Sequence, residues 1–306
     1  MSTEPRGASA VVVAAAVALW RMARPPIWLV SLVPLYLGNV LATRATLPDW
    51  SFVLTMFVMG PFAWAAALYI NDVHDLAGDR HNPRKASAPL VGGALSAAAA
   101  RVAAYAFATL ALVGAAFVGR GLAAVTAGFL ALGWAYSVPP VRLKTRPGAD
   151  VITNAVAVGG LALLAGWVVE RPLRSFPWWL LPQGLAVAAA LYIPTTLVDF
   201  EADAVSDYPT VATRLGRRAA YQLGLVAWIA ANLGAVALSL ADAVIPRRML
   251  GVQLVAAPVL VFAYHRLIGR APTPAALLRG LVLVSWLFLV PSAVFVLMYT
   301  GVWAAD

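Results

Sequence analysis

Residues 51–79 read SFVLTMFVMGPFAWAAALYINDVHDLAGD. Positions 51–70 carry no charge, a length that as a helix crosses a hydrocarbon core of about 30 Å. The run then meets Asp72, Asp75 and Asp79, whose steps of three and four place the carboxylates on one helical face. Stacked like charges repel, so such a face calls for cations between them. The stretch reads as a membrane span that delivers an acidic cluster to one surface of the bilayer.

Eight more apolar runs of spanning length surround it. With the first, their limits are 27–43, 51–70, 98–118, 121–138, 150–169, 177–198, 221–241, 248–265 and 280–300. Composition agrees: 62% of the 306 residues are hydrophobic, 11% are charged and the mean hydropathy is +0.83, whereas soluble domains carry about 25% charged residues. The expected fold is all-α, a polytopic membrane helical bundle of nine transmembrane helices. Ala8 to Leu19 is apolar but too short to span, and no small-residue cleavage site follows it, so it reads as an uncleaved amphipathic lead-in helix. No flexible linker interrupts the chain, so residues 1–306 read as a single membrane-embedded domain. The absence of cysteine excludes disulfides, thiolate metal sites and cysteine nucleophiles.

The net charge of +9 does not form the patch that nucleic acid requires. Basic residues fall in alternate connections instead. Sixteen sit on the side of the N-terminus, among them Arg21, Arg24, Arg80, Arg84, Lys85, Arg142, Lys144, Arg146, Arg214 and Arg270, and six on the other, Arg44, Arg120, Arg171, Arg174, Arg247 and Arg248. By the positive-inside rule the N-terminus and the loops carrying the acidic cluster are cytoplasmic, and the C-terminus is outside.

A second acidic cluster ends the sixth span. Asp199, Asp203 and Asp207 step by four, with Glu201 off their face, so seven of the thirteen carboxylates lie in two clusters at one membrane face, a weak internal duplication. Hard oxygen donors without thiolates or a histidine pair favour Mg²⁺, which takes one or two carboxylates and completes its shell with water and phosphate oxygens. Nearby Arg84, Lys85, Arg142 and Lys144 suit a diphosphate, although the positive-inside rule alone explains many such residues. The Pro139-Pro140 pair stiffens the loop presenting Arg142 and Lys144. Trp64, Tyr69, Trp134, Tyr136 and Tyr192 lie near the span ends; each alone reads as interfacial belt or packing, and together they suit a cavity that stabilises a carbocation.

These residues resemble the UbiA-type membrane prenyltransferase family. Its first signature is complete in Asn71, Asp72, Asp75 and Asp79, and its second resembles Asp199, Glu201, Asp203, Thr210, Ala212, Leu215 and Gly216. Arg24-Pro25-Pro26, the Tyr136-Ser137 to Lys144 loop and the nine-span layout match as well, so the resemblance covers nearly the whole chain. Two positions depart from it: Ala88-Pro89 and Gly92-Gly93 stand where many members have Arg-Pro and Ser-Gly, which leaves a phosphate or acceptor contact to Lys85, and Asp207 stands where Gly is common.

The resemblance implies Mg²⁺-dependent ionisation of an allylic isoprenyl diphosphate and transfer of the prenyl group to a lipophilic acceptor within the bilayer. It implies Asp72, Asp75, Lys144 and Asp199 as catalytic. Asn71, Asp72, Asp75, Asp79, Asp199, Asp203 and Asp207 would be metal ligands, and Asn71, Arg24, Arg84, Lys85, Arg142 and Lys144 would contact diphosphate. Tyr69, Tyr136 and Tyr192 would stabilise the cation. In motif detail the chain resembles lycopene elongase and chlorophyll-synthase-like members. Terpene cyclases of the same fold, which need no acceptor, are a second reading. A cation-coupled transporter is a third, opposed by acidic clusters that lie at the span ends instead of the midplane.

Overall fold

The computed structural model describes residues 8–82, 85–205 and 208–303, and from residue 12 onward their side chains. Arg84 and Asp207 lie outside the described residues. The chain forms α1 (Ala8–Ala23), α2 (Pro25–Thr43), α3 (Trp50–Asp79), α4 (Ala97–Val118), α5 (Arg120–Ser137), α6 (Ala149–Val168), α7 (Trp178–Val198), α8 (Phe200–Val205), α9 (Val211–Leu215), α10 (Arg217–Leu240), α11 (Arg247–Gly269) and α12 (Pro274–Tyr299). No strand occurs among the described residues.

Eight of these helices are long and apolar enough to cross a membrane. The ninth expected span is α5, 18 residues diluted by Arg120, three glycines and a Trp-Ala-Tyr-Ser end. Geometry nevertheless makes it a crossing. Its last residue, Ser137, bonds Asn71 at one end of the bundle, and α4 has just carried the chain from that end to the other. The final span starts earlier than the apolar pattern indicates, because Thr273 caps it and Arg279 lies within its first turns. α1 runs on to Ala23, and its outward residues Val12, Val13, Val17 and Trp20 are apolar. The lead-in helix forms as expected, with Arg21 its one charged residue and an apolar outward face over the described side chains.

Three helices contain π turns: Val58–Phe62 in α3, Ala155–Leu161 in α6 and His265–Gly269 in α11. In α3 the turn holds Pro61, whose missing N–H breaks the regular ladder.

With little hydrophobic drive between helices in lipid, close approach of small residues does the packing. A Cβ on Gly166 of α6 would collide with the Leu35 carbonyl of α2, and one on Gly38 would strike Leu163 in return. One core lies among α2–α6 and another among α7 and α10–α12. Tyr299 closes the two halves at the end remote from the acidic cluster: its hydroxyl donates to the Leu41 carbonyl at 3.3 Å, and the Arg44 guanidinium sits 5.3 Å from its ring centre.

Candidate active site

α3 continues as helix through the first acidic motif, so Asp72, Asp75 and Asp79 share the face that their spacing predicts. Each is met by a cation from a different part of the chain. Arg24 Nη2 donates to Asp72 Oδ1 at 2.6 Å, Lys144 Nζ to Asp75 Oδ1 at 2.6 Å, and Arg142 Nη2 to the same oxygen at 3.3 Å. Lys85 Nζ reaches Asp79 Oδ2 at 3.4 Å. Lys144 also donates to Asn71 Oδ1 at 2.8 Å, and Ser137 Oγ donates to that oxygen at 3.2 Å.

Lys144 is 3% exposed. Burying an ammonium costs several kcal/mol unless it is paired and hydrogen-bonded, as here. Burial pulls its pKa below the ordinary lysine value, and the Asp75 carboxylate opposes the shift. Asn71, expected as a metal ligand, spends both lone pairs of its carbonyl oxygen on Lys144 and Ser137. In this arrangement it holds Lys144 in place and offers no free ligand.

Two of the cations sit on unusual backbone. Arg24, between α1 and α2, has φ 47° and ψ 62°, and Arg142, ahead of Lys144, has φ 39° and ψ 59°. Left-handed backbone at a non-glycine residue costs about 1–2 kcal/mol, and such outliers cluster at functional sites. The Nε of Arg142 is buried with no acceptor among the described residues. A cavity of about 210 Å³ adjoins Asp72, lined by Arg21, Arg24, Lys85 and Ser87. Arg21 holds the Ser87 carbonyl at 2.9 Å.

The second motif differs from the first. α7 ends at Val198 and α8 begins at Phe200, so Asp199 lies at a break. Asp203 N–H donates to the Asp199 carbonyl at 2.9 Å, which keeps one turn of the expected stacking. Tyr208 itself is not helical, as expected of a residue before proline, which is pushed off the helical region. Glu201 is 84% exposed and 3.9 Å from Arg217.

Of the three tyrosines expected together, two meet. The hydroxyls of Tyr136 and Tyr192 are 3.0 Å apart, joining α5 to α7. Tyr69 faces elsewhere: its hydroxyl donates to the Leu19 carbonyl of α1 at 2.9 Å and its ring packs edge-on to Phe107. It ties α1 to the bundle. Trp64 packs on Phe129, and Trp134 points outward, 44% exposed.

Two residues escaped the sequence reading. Tyr208 follows the second motif and lies under the Arg142 guanidinium at 5.9 Å from its ring centre; burial and then the Asp75 carboxylate push its hydroxyl pKa upward. Asp150, fully buried, accepts from Gly148 N–H at 2.8 Å and from Val211 N–H at 3.1 Å. The Tyr-Pro pair marked a helix stop, which gave some signal for Tyr208. Asp150 gave none, since its second partner is 61 residues away.

Among the described residues no three carboxylates or imidazoles converge as a preformed metal cage. The donors present, aspartates without thiolates, suit a hard cation.

The fold and this cluster define an intramembrane prenyl-transfer enzyme, and the chain belongs to the UbiA prenyltransferase family, whose model matches residues 31–288. It is a prenyltransferase, built as a multi-pass integral membrane protein. The chain is 32% identical over 266 residues to the lycopene elongase/hydratase of Halobacterium salinarum, covering 83% of this chain and 89% of that protein. It is 30% identical to the Corynebacterium glutamicum protein of the same name, over 68% of this chain and 72% of the relative. Among solved structures, a UbiA homolog from Archaeoglobus fulgidus bound to GPP and Mg²⁺ shares the fold with a TM-score of 0.71 at 24% identity, covering 91% of this chain and 99% of that one. A UbiA homolog from Aeropyrum pernix K1 shares it with a TM-score of 0.65 at 20% identity, over 87% and 98%.

Proposed function

We propose that the protein transfers an isoprenyl group from an allylic diphosphate to lycopene or a similar linear polyene, with Mg²⁺ as cofactor, and that the whole chain, 1–306, acts as one unit. The observation that carries this reading is the interleaving of Arg24, Lys85, Arg142 and Lys144 with Asp72, Asp75 and Asp79 at one end of the bundle. A metal diphosphate carries the same two kinds of charge. It can exchange like for like, phosphate oxygens taking the cations and metal ions the carboxylates. The choice of acceptor is supported by relatives named lycopene elongase/hydratase, similar over most of the chain.

Asp72, Asp75 and Asp79 on one side, with Asp199, Asp203 and Asp207 on the other, would hold the ions. When bound, Mg²⁺ supplies charge neutralisation of the leaving diphosphate. Lys144, locked by Asn71 and Asp75, presents a desolvated ammonium at a fixed place, and such preorganised charge is worth most where water is excluded. The buried Nε–H of Arg142 gains an acceptor when a phosphate oxygen arrives. Tyr136 and Tyr192, joined through their hydroxyls, offer two aromatic rings suited to attract an allylic cation. We place this end of the bundle at the cytoplasmic face, the C-terminus outside, on the sixteen-to-six distribution of basic residues.

The test is turnover in nanodiscs with dimethylallyl, geranyl, farnesyl or geranylgeranyl diphosphate, with and without lycopene, in Mg²⁺ or EDTA. Mg²⁺-dependent diphosphate release with a prenylated lycopene is expected. A cyclised hydrocarbon formed without acceptor would replace transfer by cyclisation. No release with any donor would overturn the proposal.

A further inference from the structure

We propose that Asp150 is a positioning residue that sets the spacing between the two halves of the site; this rests on reading the two aspartate motifs as one diphosphate site. Its carboxylate is fully buried, and no Lys or Arg forms an ion pair with it among the described residues. What it accepts from is backbone: Oδ1 takes Gly148 N–H at 2.8 Å, at the start of α6, and Oδ2 takes Val211 N–H at 3.1 Å, in the first turn of α9.

A buried carboxylate without a counter-ion is tolerated where amides and helix N-termini supply the positive end of the interaction. Here one carboxylate serves two helix starts at once. The first lies four residues after Lys144 and the second follows the Asp199–Asp203 segment. Gly148, at φ 88°, adopts a backbone that side chains disfavour, so the loop is bent to bring its N–H onto Asp150. The Thr210–Thr213 capping box fixes the α9 side, Thr213 Oγ1 accepting from Thr210 N–H at 2.8 Å. Asp150 is thereby the tie between the segment carrying Arg142 and Lys144 and the segment carrying the second acidic motif.

Two substitutions cut this tie from opposite sides. Asp150→Asn keeps the size, but its single carbonyl oxygen serves only one of the two donors and its NH₂ faces the other. Val211→Pro deletes the second donor at the first position of a helix, where proline is tolerated, and Val211→Ala controls for lost packing.

Because the chain contains no cysteine, cysteines introduced at exposed Arg146 and Val205 take spin labels at those positions alone. Pulsed electron paramagnetic resonance in nanodiscs then reads the separation of the two segments. The expected result is a narrow distance distribution in the parent and in Val211→Ala, and a broadened one in Asp150→Asn and Val211→Pro. In the same two variants the Mg²⁺ concentration for half-maximal turnover rises about 10-fold, as for outer partners of metal sites. Unchanged distances in both variants, or a lowered melting temperature with neither distance nor Mg²⁺ response, would overturn the proposal. Broadened distances in Asp150→Asn and Val211→Pro, with a parent that shows no Mg²⁺-dependent turnover, would uphold the tie and sink the functional reading.

Discussion

Lys144 brings an ammonium into a place where only 3% of its surface is exposed, between an amide oxygen and a carboxylate. Replacing it by Ala removes the fixed charge and leaves Asp75 with Arg142 alone. kcat/KM should fall about 100-fold, the scale of losing one preorganised donor to a developing anion. Lys144→Arg should not restore it, since a planar fork does not fit a point-charge site. Steady-state diphosphate release measures both, and a change under threefold for Lys144→Ala would remove Lys144 from the leaving-group role. Arg24 separates charge from backbone. Arg24→Ala and Arg24→Gly both lose the 2.6 Å pair with Asp72, but only glycine is at ease at φ 47°. Arg24→Gly should be the more stable of the two by about 1 kcal/mol, read as a higher melting temperature in detergent; equal melting would deny the strain.

At the scale of elements, hydropathy alone placed most span limits within a few residues, because apolar runs and charged ends are written directly in the chain. It could not show where helices bend or end inside polar sequence. α3 continues into its acidic motif, whereas the matching span breaks at Asp199. Carboxylate spacing made the first motif legible, yet the pairing of each aspartate with its cation depends on distant chain, as with Arg24 and Asp72, 48 residues apart. Tyr69 looked like its neighbours in sequence and was separated from them only by the Leu19 carbonyl that receives its hydroxyl. The α2–α6 seam gives a prediction of its own. Gly166→Val sets a side chain against the Leu35 carbonyl, and an overpacked core typically loses about 1–3 kcal/mol. A thermal melt no lower than the parent's would show that the seam gives way.

For the whole molecule, the two ends differ in kind. One gathers Arg24, Lys85, Arg142 and Lys144 around aspartates, while at the other Arg44 and Arg171 engage the Tyr299 ring and the Ala42 carbonyl. If the first end faces the cytoplasm, a cysteine at Arg146 should resist a membrane-impermeant maleimide in intact cells, and one at exposed Leu173 should react. The reverse pattern would invert the topology without disturbing the fold.

The π turn of Val58–Phe62 has a consequence for changes in chain length. Removing a residue from a regular α-helix turns everything beyond it by about 100°, which in α3 would swing the acidic face away from Lys144 and Arg24. A π turn already holds one surplus residue. Deleting one position within 58–62 lets the helix close into an ordinary turn while both flanks keep their phase. The same deletion between 63 and 70 has no such slack, so α3 has one place upstream of its aspartates where a codon can be lost and the site kept.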